Sequence, residues 1–133
     1  MAVSHVVSRF QQGALVVAAL VAAGGLGVVM RAEPRRPQAV VIEVTAKRFA
    51  FAPDRIEVVE GDSVTLAVKS ADGTHGIEIK KLKVKKEVPR GGVAVLLSFT
   101  APAPGEYQVS CSEYCGRGHE DMRATLVVKP RSL

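Results

Sequence analysis

Both cysteines of the chain, one of its three histidines and one of its three methionines fall within twelve residues, Cys111-Ser112-Glu113-Tyr114-Cys115-Gly116-Arg117-Gly118-His119-Glu120-Asp121-Met122. Thiolate, imidazole and thioether together form the ligand set that soft transition metals such as copper select. Gly116 and Gly118, between Cys115 and His119, let the backbone turn tightly enough for a short loop to close around an ion. A strand-like run, Glu106-Tyr107-Gln108-Val109-Ser110, leads into this stretch, and a second, Arg123-Ala124-Thr125-Leu126-Val127-Val128, leads out. The candidate ligands are therefore expected on a loop that joins two strands.

Other chemistries use parts of the same set. Cys111 and Cys115 could pair as a structural disulfide. The two cysteines, His119 and a second histidine could close a zinc site, for which Met122 is a poor ligand. His119 and Met122 could be ordinary loop and core residues. The spacing C-x3-C-x3-H-x2-M is longer and more specific than a lone CxxC, and copper accounts for the whole of it. Such a site needs a second imidazole. His5 precedes a long apolar run and lies on the wrong side of it. His75, after Asp72-Gly73-Thr74, is the remaining candidate, expected in a turn between two strands.

The elements that must position these residues follow from the rest of the chain. Its 133 residues suit one domain. Ala14 to Met30 carries no charge over seventeen residues, which as a helix rises about 25 Å, at the short end for crossing a membrane. A cleaved signal peptide is the alternative, with a small-residue run at Val21-Ala22-Ala23. The apolar run continues past that point to Met30, which favours an uncleaved anchor. We therefore read residues 1–32 as a membrane anchor or signal segment and 33–37, with Pro34, Pro37 and two arginines, as a short stiff linker. Residues 38–133 form the folded domain.

That domain reads as all-β. Val40 to Ala46 is β-branched, Phe49 to Asp54 leaves it through a turn, and Arg55 to Val59 ends at Glu60-Gly61-Asp62. Val64, Leu66 and Val68 alternate with polar or small residues, as do Val93, Val95, Leu97 and Phe99. Asp72-Gly73, Arg90-Gly91-Gly92 and Pro102-Ala103-Pro104-Gly105 mark turns. Seven or eight short strands with regular turn signals predict a Greek-key β-sandwich. No stretch after Met30 carries a helical period.

The chain holds 18 basic and 13 acidic residues, a net charge of +5. Lys80, Lys81, Lys83, Lys85, Lys86 and Arg90 form the densest basic run. As a strand, it would set Lys81, Lys83 and Lys85 on one face and Leu82 and Val84 on the other. It could be a solvated face, a contact for an acidic redox partner, or a contact for anionic lipid. The few aromatic residues argue against nucleic acid. No Ser/His/Asp set, phosphate loop or catalytic carboxylate pair is present.

The pattern D-x-x-H followed by C-S-E-x-C-G-x-x-H-x-x-M resembles the CuA domain of cytochrome c oxidase subunit II. Pro104-Gly105-Glu106-Tyr107 and Thr125-Leu126-Val127-Val128-Lys129 also resemble that family, particularly its single-anchor bacterial branch. The resemblance spans about residues 40 to 129. It implies a cupredoxin fold and a dinuclear copper centre in which Cys111 and Cys115 each bridge both ions. It further implies that His119 and the Glu113 carbonyl serve one copper, and His75 and Met122 the other. In some members the residue matching Glu113 also touches a magnesium ion at a subunit interface.

The family role is the subunit through which electrons enter a haem–copper oxidase. Cytochrome c or a cupredoxin is the donor, and oxygen is reduced in a partner catalytic subunit. A membrane-tethered cupredoxin acting alone, as an electron shuttle or in copper handling, is the other reading. Counting Arg31, Arg35 and Arg36 after the apolar run against Arg9 before it would place the domain in the cytoplasm. The family implies instead a single-pass protein with its copper domain on the extracytoplasmic, periplasmic side. The chain departs from the family in having no tryptophan for the usual aromatic patch, Tyr114 being the nearest aromatic, and in placing Ile77 where an aromatic is common.

Overall fold

A computed structural model of the chain describes residues 33–132. The expected anchor at 14–30 lies outside them. Among the described residues no helix is long and apolar enough to cross a membrane.

Within this span the chain forms nine strands. They are β1 (Ala39–Lys47), β2 (Ala50–Ala52), β3 (Arg55–Val59), β4 (Ser63–Ser70), β5 (His75–Ile79), β6 (Val84–Val88), β7 (Val95–Thr100), β8 (Gly105–Ser110) and β9 (Arg123–Lys129). Short 3-10 turns occupy Lys80–Leu82 and His119–Asp121. The strands build two sheets, ordered β2-β1-β4-β7 and β3-β9-β8-β5-β6. The first contains a parallel pair, β1 with β4, and the second contains another, β3 with β9. The fold is the all-β sandwich that the alternation predicted.

Period-two patterning makes the core. Val64, Leu66 and Val68 of β4 point inward with no exposed surface, while Thr65 and Lys69 point out. Leu126 of β9, Val109 of β8 and Ile77 and Ile79 of β5 meet them from the other sheet's inner face, fully buried. Burying each such side chain contributes roughly 1.5–3 kcal/mol. This packed interior gives the loops at one end a fixed base.

The residues before β1 are tied down. The Gln38 backbone N–H donates to Asp62 Oδ1 at 3.0 Å, and Arg131 donates to the same oxygen at 2.6 Å and to the Arg35 carbonyl at 2.7 Å. Asp62, almost fully buried, is held below the usual carboxylate range by the Gln38 N–H first and then by Arg131.

Three expectations need correction. Lys80 to Lys85 do not run as one strand. Lys80–Leu82 is a 3-10 turn and Lys83 is left-handed at φ 56°, so Lys81, Lys83 and Lys85 do not share a strand face. The alternation of Leu82 and Val84 imitates period two across a turn. His75 is not in the turn but opens β5. Val93 lies before β7 and is exposed, because Gly91 and Gly92, both with positive φ, carry the chain away from the sheet.

Candidate metal centre

The strands β8 and β9 pair antiparallel, with Ser110 opposite Arg123. Their connection, residues 111–122, is closed at its neck by the Cys111 N–H donating to the Met122 carbonyl at 3.2 Å. Beyond the neck the loop folds on itself. The N–H groups of His119, Asp121 and Met122 donate to the carbonyls of Gly116, Gly118 and His119. Gly118 holds φ +104°, and a Cβ there would stand 2.9 Å from the Phe49 ring. Only glycine meets both demands without strain.

This folding gathers the predicted donors around Cys115. Its sulfur lies 3.9 Å from Cys111 Sγ, 3.8 Å from His119 Nδ1 and 3.9 Å from Met122 Sδ. Both cysteines and Met122 are buried. The sulfurs of Cys111 and Cys115 are separate thiols, far beyond the bond length of about 2.05 Å that a disulfide needs. Cys111 Sγ donates to the Glu113 carbonyl at 3.2 Å.

His75 arrives from the neighbouring strand, fully buried. A ring nitrogen of His75 and the two sulfurs all lie within 4.8 Å of one another. Its Nε2 meets Asp72 Oδ1 at 2.6 Å, while Nδ1 is buried without a partner. A buried ring nitrogen without a partner is costly unless something binds it, and the group of His75, Cys111 and Cys115 could hold a metal ion. Asp72 in turn fixes the ring, as carboxylates commonly do behind metal-bound imidazoles. The Arg48 N–H, first, and the His75 side chain hold the Asp72 carboxyl well below its usual range.

The β5 residue Gly76 allows the approach of the loop. A Cβ there would overlap Ser112 Oγ and stand 3.0 Å from the Glu113 backbone nitrogen. Burial, and then the neighbouring Cys111 thiol, pushes the Cys115 thiol up to about 11. A metal must therefore displace protons on binding. The donor set, two thiols, two imidazoles, a thioether and a carbonyl, suits copper.

His75, Cys111, Cys115, His119 and Met122 thus converge, with the Glu113 carbonyl beside them. The Glu113 side chain turns outward to pair with Lys85 at 3.1 Å, a position that gives the expected magnesium contact no support. Tyr114 is 77% exposed, its ring 5.8 Å from that of His119. Sequence reasoning missed Arg48 and Phe49. The Arg48 N–H donates to Asp72 Oδ2, and its Nε–H donates to the Cys115 carbonyl, both at 2.9 Å. Phe49 covers Gly116 and Gly118. Asp72 was visible as part of D-x-x-H, but its bond to His75 was not.

A family model described as a cupredoxin-like domain matches residues 14–128. Cytochrome c oxidase subunit 2 of Thermus thermophilus is 36% identical over 93 residues, covering 70% of this chain and 68% of that one. A longer subunit 2, also from Thermus thermophilus, has the same identity over 70% of this chain, with 55% of its own length covered. The periplasmic domain of subunit II of cytochrome oxidase from Bradyrhizobium japonicum shares the fold, with a TM-score of 0.60 at 18% identity, over 75% of this chain and 86% of that one.

Proposed function

Since the chain belongs to the cupredoxin-like domain family, and within it to the family of cytochrome c oxidase subunit II, we propose that it carries electrons through a dinuclear CuA copper centre into a haem–copper oxidase. The observation that carries this reading is the convergence of a His75 ring nitrogen and the thiols of Cys111 and Cys115, all within 4.8 Å of one another. Copper bound there would supply a one-electron carrier.

The chain's own residues make that carrier usable. Cys111 and Cys115 would hold the copper through sulfurs offered from one loop. His119 with the Glu113 carbonyl, and His75 with Met122, would be the further donors. Asp72 holds the His75 ring in place. The loop neck, the internal hydrogen bonds and the buried inner faces of β5 and β8 restrain the donors, so little rearranges when charge changes. Burial of the sulfurs excludes water and strengthens every local electrostatic interaction.

In this proposal residues 1–32 anchor the chain and 33–37 link the anchor to the copper domain of 38–133. That domain faces the periplasm, a partner subunit holds the haems, and cytochrome c or a cupredoxin donates. Magnesium forms no part of it.

The test is copper stoichiometry and electron paramagnetic resonance of the full chain, purified in detergent and loaded with copper. We expect two coppers per chain and the hyperfine pattern of one electron shared by two nuclei. Cys111→Ser and Cys115→Ser should each abolish that pattern, whereas Met122→Leu should keep it and shift the potential. One copper per chain, with a single-nucleus pattern, would overturn the dinuclear reading.

A further inference from the structure

Arg48 lies in the turn between β1 and β2, far in sequence from both halves of the site, yet it bonds to each. Its backbone N–H donates to Asp72 Oδ2 at 2.9 Å, and the other oxygen of Asp72 holds His75 Nε2. Its side-chain Nε–H donates to the carbonyl of Cys115, also at 2.9 Å. The guanidinium passes between the two segments it joins. A Cβ on Gly73, in the turn before His75, would meet Arg48 Nη2 at 3.3 Å, and one on Gly116 would meet Nε at 4.0 Å. The next residue, Phe49, lies on the glycines of the ligand loop.

We infer that Arg48 is a positioning residue of the metal centre, a cross-brace that locks the Asp72–His75 unit to the Cys115 loop before a metal binds. The redox part of this role rests on the copper reading above; the bracing part does not. A planar guanidinium suits the task because its N–H vectors are fixed in one plane, so a single bond sets both the distance and the direction of the loop. Lysine carries the same charge on a flexible stem and cannot hold that direction. The positive charge beside Cys115 also favours the reduced, more electron-rich state of whatever its thiolate binds.

Two variants of the full chain separate bond from charge. Arg48→Met removes both, and Arg48→Lys keeps the charge. In metal-free protein, hydrogen exchange should quicken at the His119 and Met122 amides in both variants. The amides of Leu66 and Val109 in the sheets should keep their wild-type rates. After copper loading, loss of copper to a chelator should rise by about 10- to 100-fold in both, the usual cost of removing a group that orients a ligand. The midpoint potential should fall in Arg48→Met and recover in Arg48→Lys.

Wild-type exchange at His119 and Met122 in both variants would overturn the brace. So would a potential that is the same in Arg48→Met as in wild type, combined with unchanged copper loss. Arg48→Lys decides the matter if Arg48→Met does not fold. Should the wild-type chain hold no dinuclear copper, the function proposed above fails, and the metal-free exchange rates alone decide the brace.

Discussion

Asp72 uses both carboxylate oxygens within its own neighbourhood, one on His75 and one on the Arg48 N–H. Its carboxyl is held below the ordinary value near 3.9. The stabilisation this gives the folded chain is complete above that ordinary value and is lost only as pH falls through the lower folded one. Asp72→Asn should therefore flatten the acid limb of stability, read by circular dichroism of the metal-free chain between neutral pH and strong acid. The same variant should weaken copper by about 10- to 100-fold in competition titration, since the imidazole loses the group that orients it. An unchanged acid limb would mean that Asp72 is not the group that titrates. At this scale the sequence was informative where chemistry is carried by residue type: two cysteines, a methionine and two histidines announce themselves. It was silent on Arg48, an exposed arginine like many others. The partners of Arg48 lie 24 and 67 residues away, and only the packed sheets bring them together.

The strands show where patterning is legible and where it fails. In β4 and β9 the burial alternates strictly, and the sequence alternates with it. Between β5 and β6 the same alternation misleads, because Lys83 enters the left-handed region without being glycine or asparagine. The local sequence carries no turn signal there. Gly76 likewise gives no sign in the sequence that a loop crosses its face. Gly76→Ala would overpack this contact and should destabilise the metal-free chain by about 1–3 kcal/mol in urea unfolding. Ser112→Ala should restore part of that loss, since the Ser112 hydroxyl is the first atom met and is itself buried without a partner. A double variant no better than Gly76→Ala would place the clash with the Glu113 backbone instead.

Across the whole molecule the charge is positive, but the lysines are dispersed. Lys85 is paired with Glu113, Lys81 stands 5.5 Å over the Tyr107 ring, and Lys80 and Arg123 share with Glu78 and Glu120 the lining of a cleft of about 360 Å³ that reaches Cys111 and His119. With a net charge of +5, the chain should steer an acidic donor, and the natural donor is predicted not to be a strongly basic cytochrome c. Stopped-flow reduction of the copper-loaded chain by an acidic and by a basic cytochrome c, across ionic strength, checks this. The acidic donor should slow as salt rises, and Lys80→Glu with Arg123→Glu should remove most of that slope. Faster reaction with the basic donor at low salt would rule the surface out.

The place of β9 in its sheet has a consequence for how the protein is made. This strand fills the gap between β3 and β8, with Arg55 opposite Thr125 on one side and Ser110 opposite Arg123 on the other. During synthesis it emerges after the other eight described strands, and pairing it with β3 closes a long stretch of chain, a slow kind of step. Until it inserts, β3 has no neighbour in its sheet and the Cys111–Met122 neck cannot close. The thiols are then strung along an open segment, free to take any soft ion in any geometry. Metal loading in the correct arrangement therefore waits on completed folding, and maturation of the site is tied to the final event in the assembly of the sandwich.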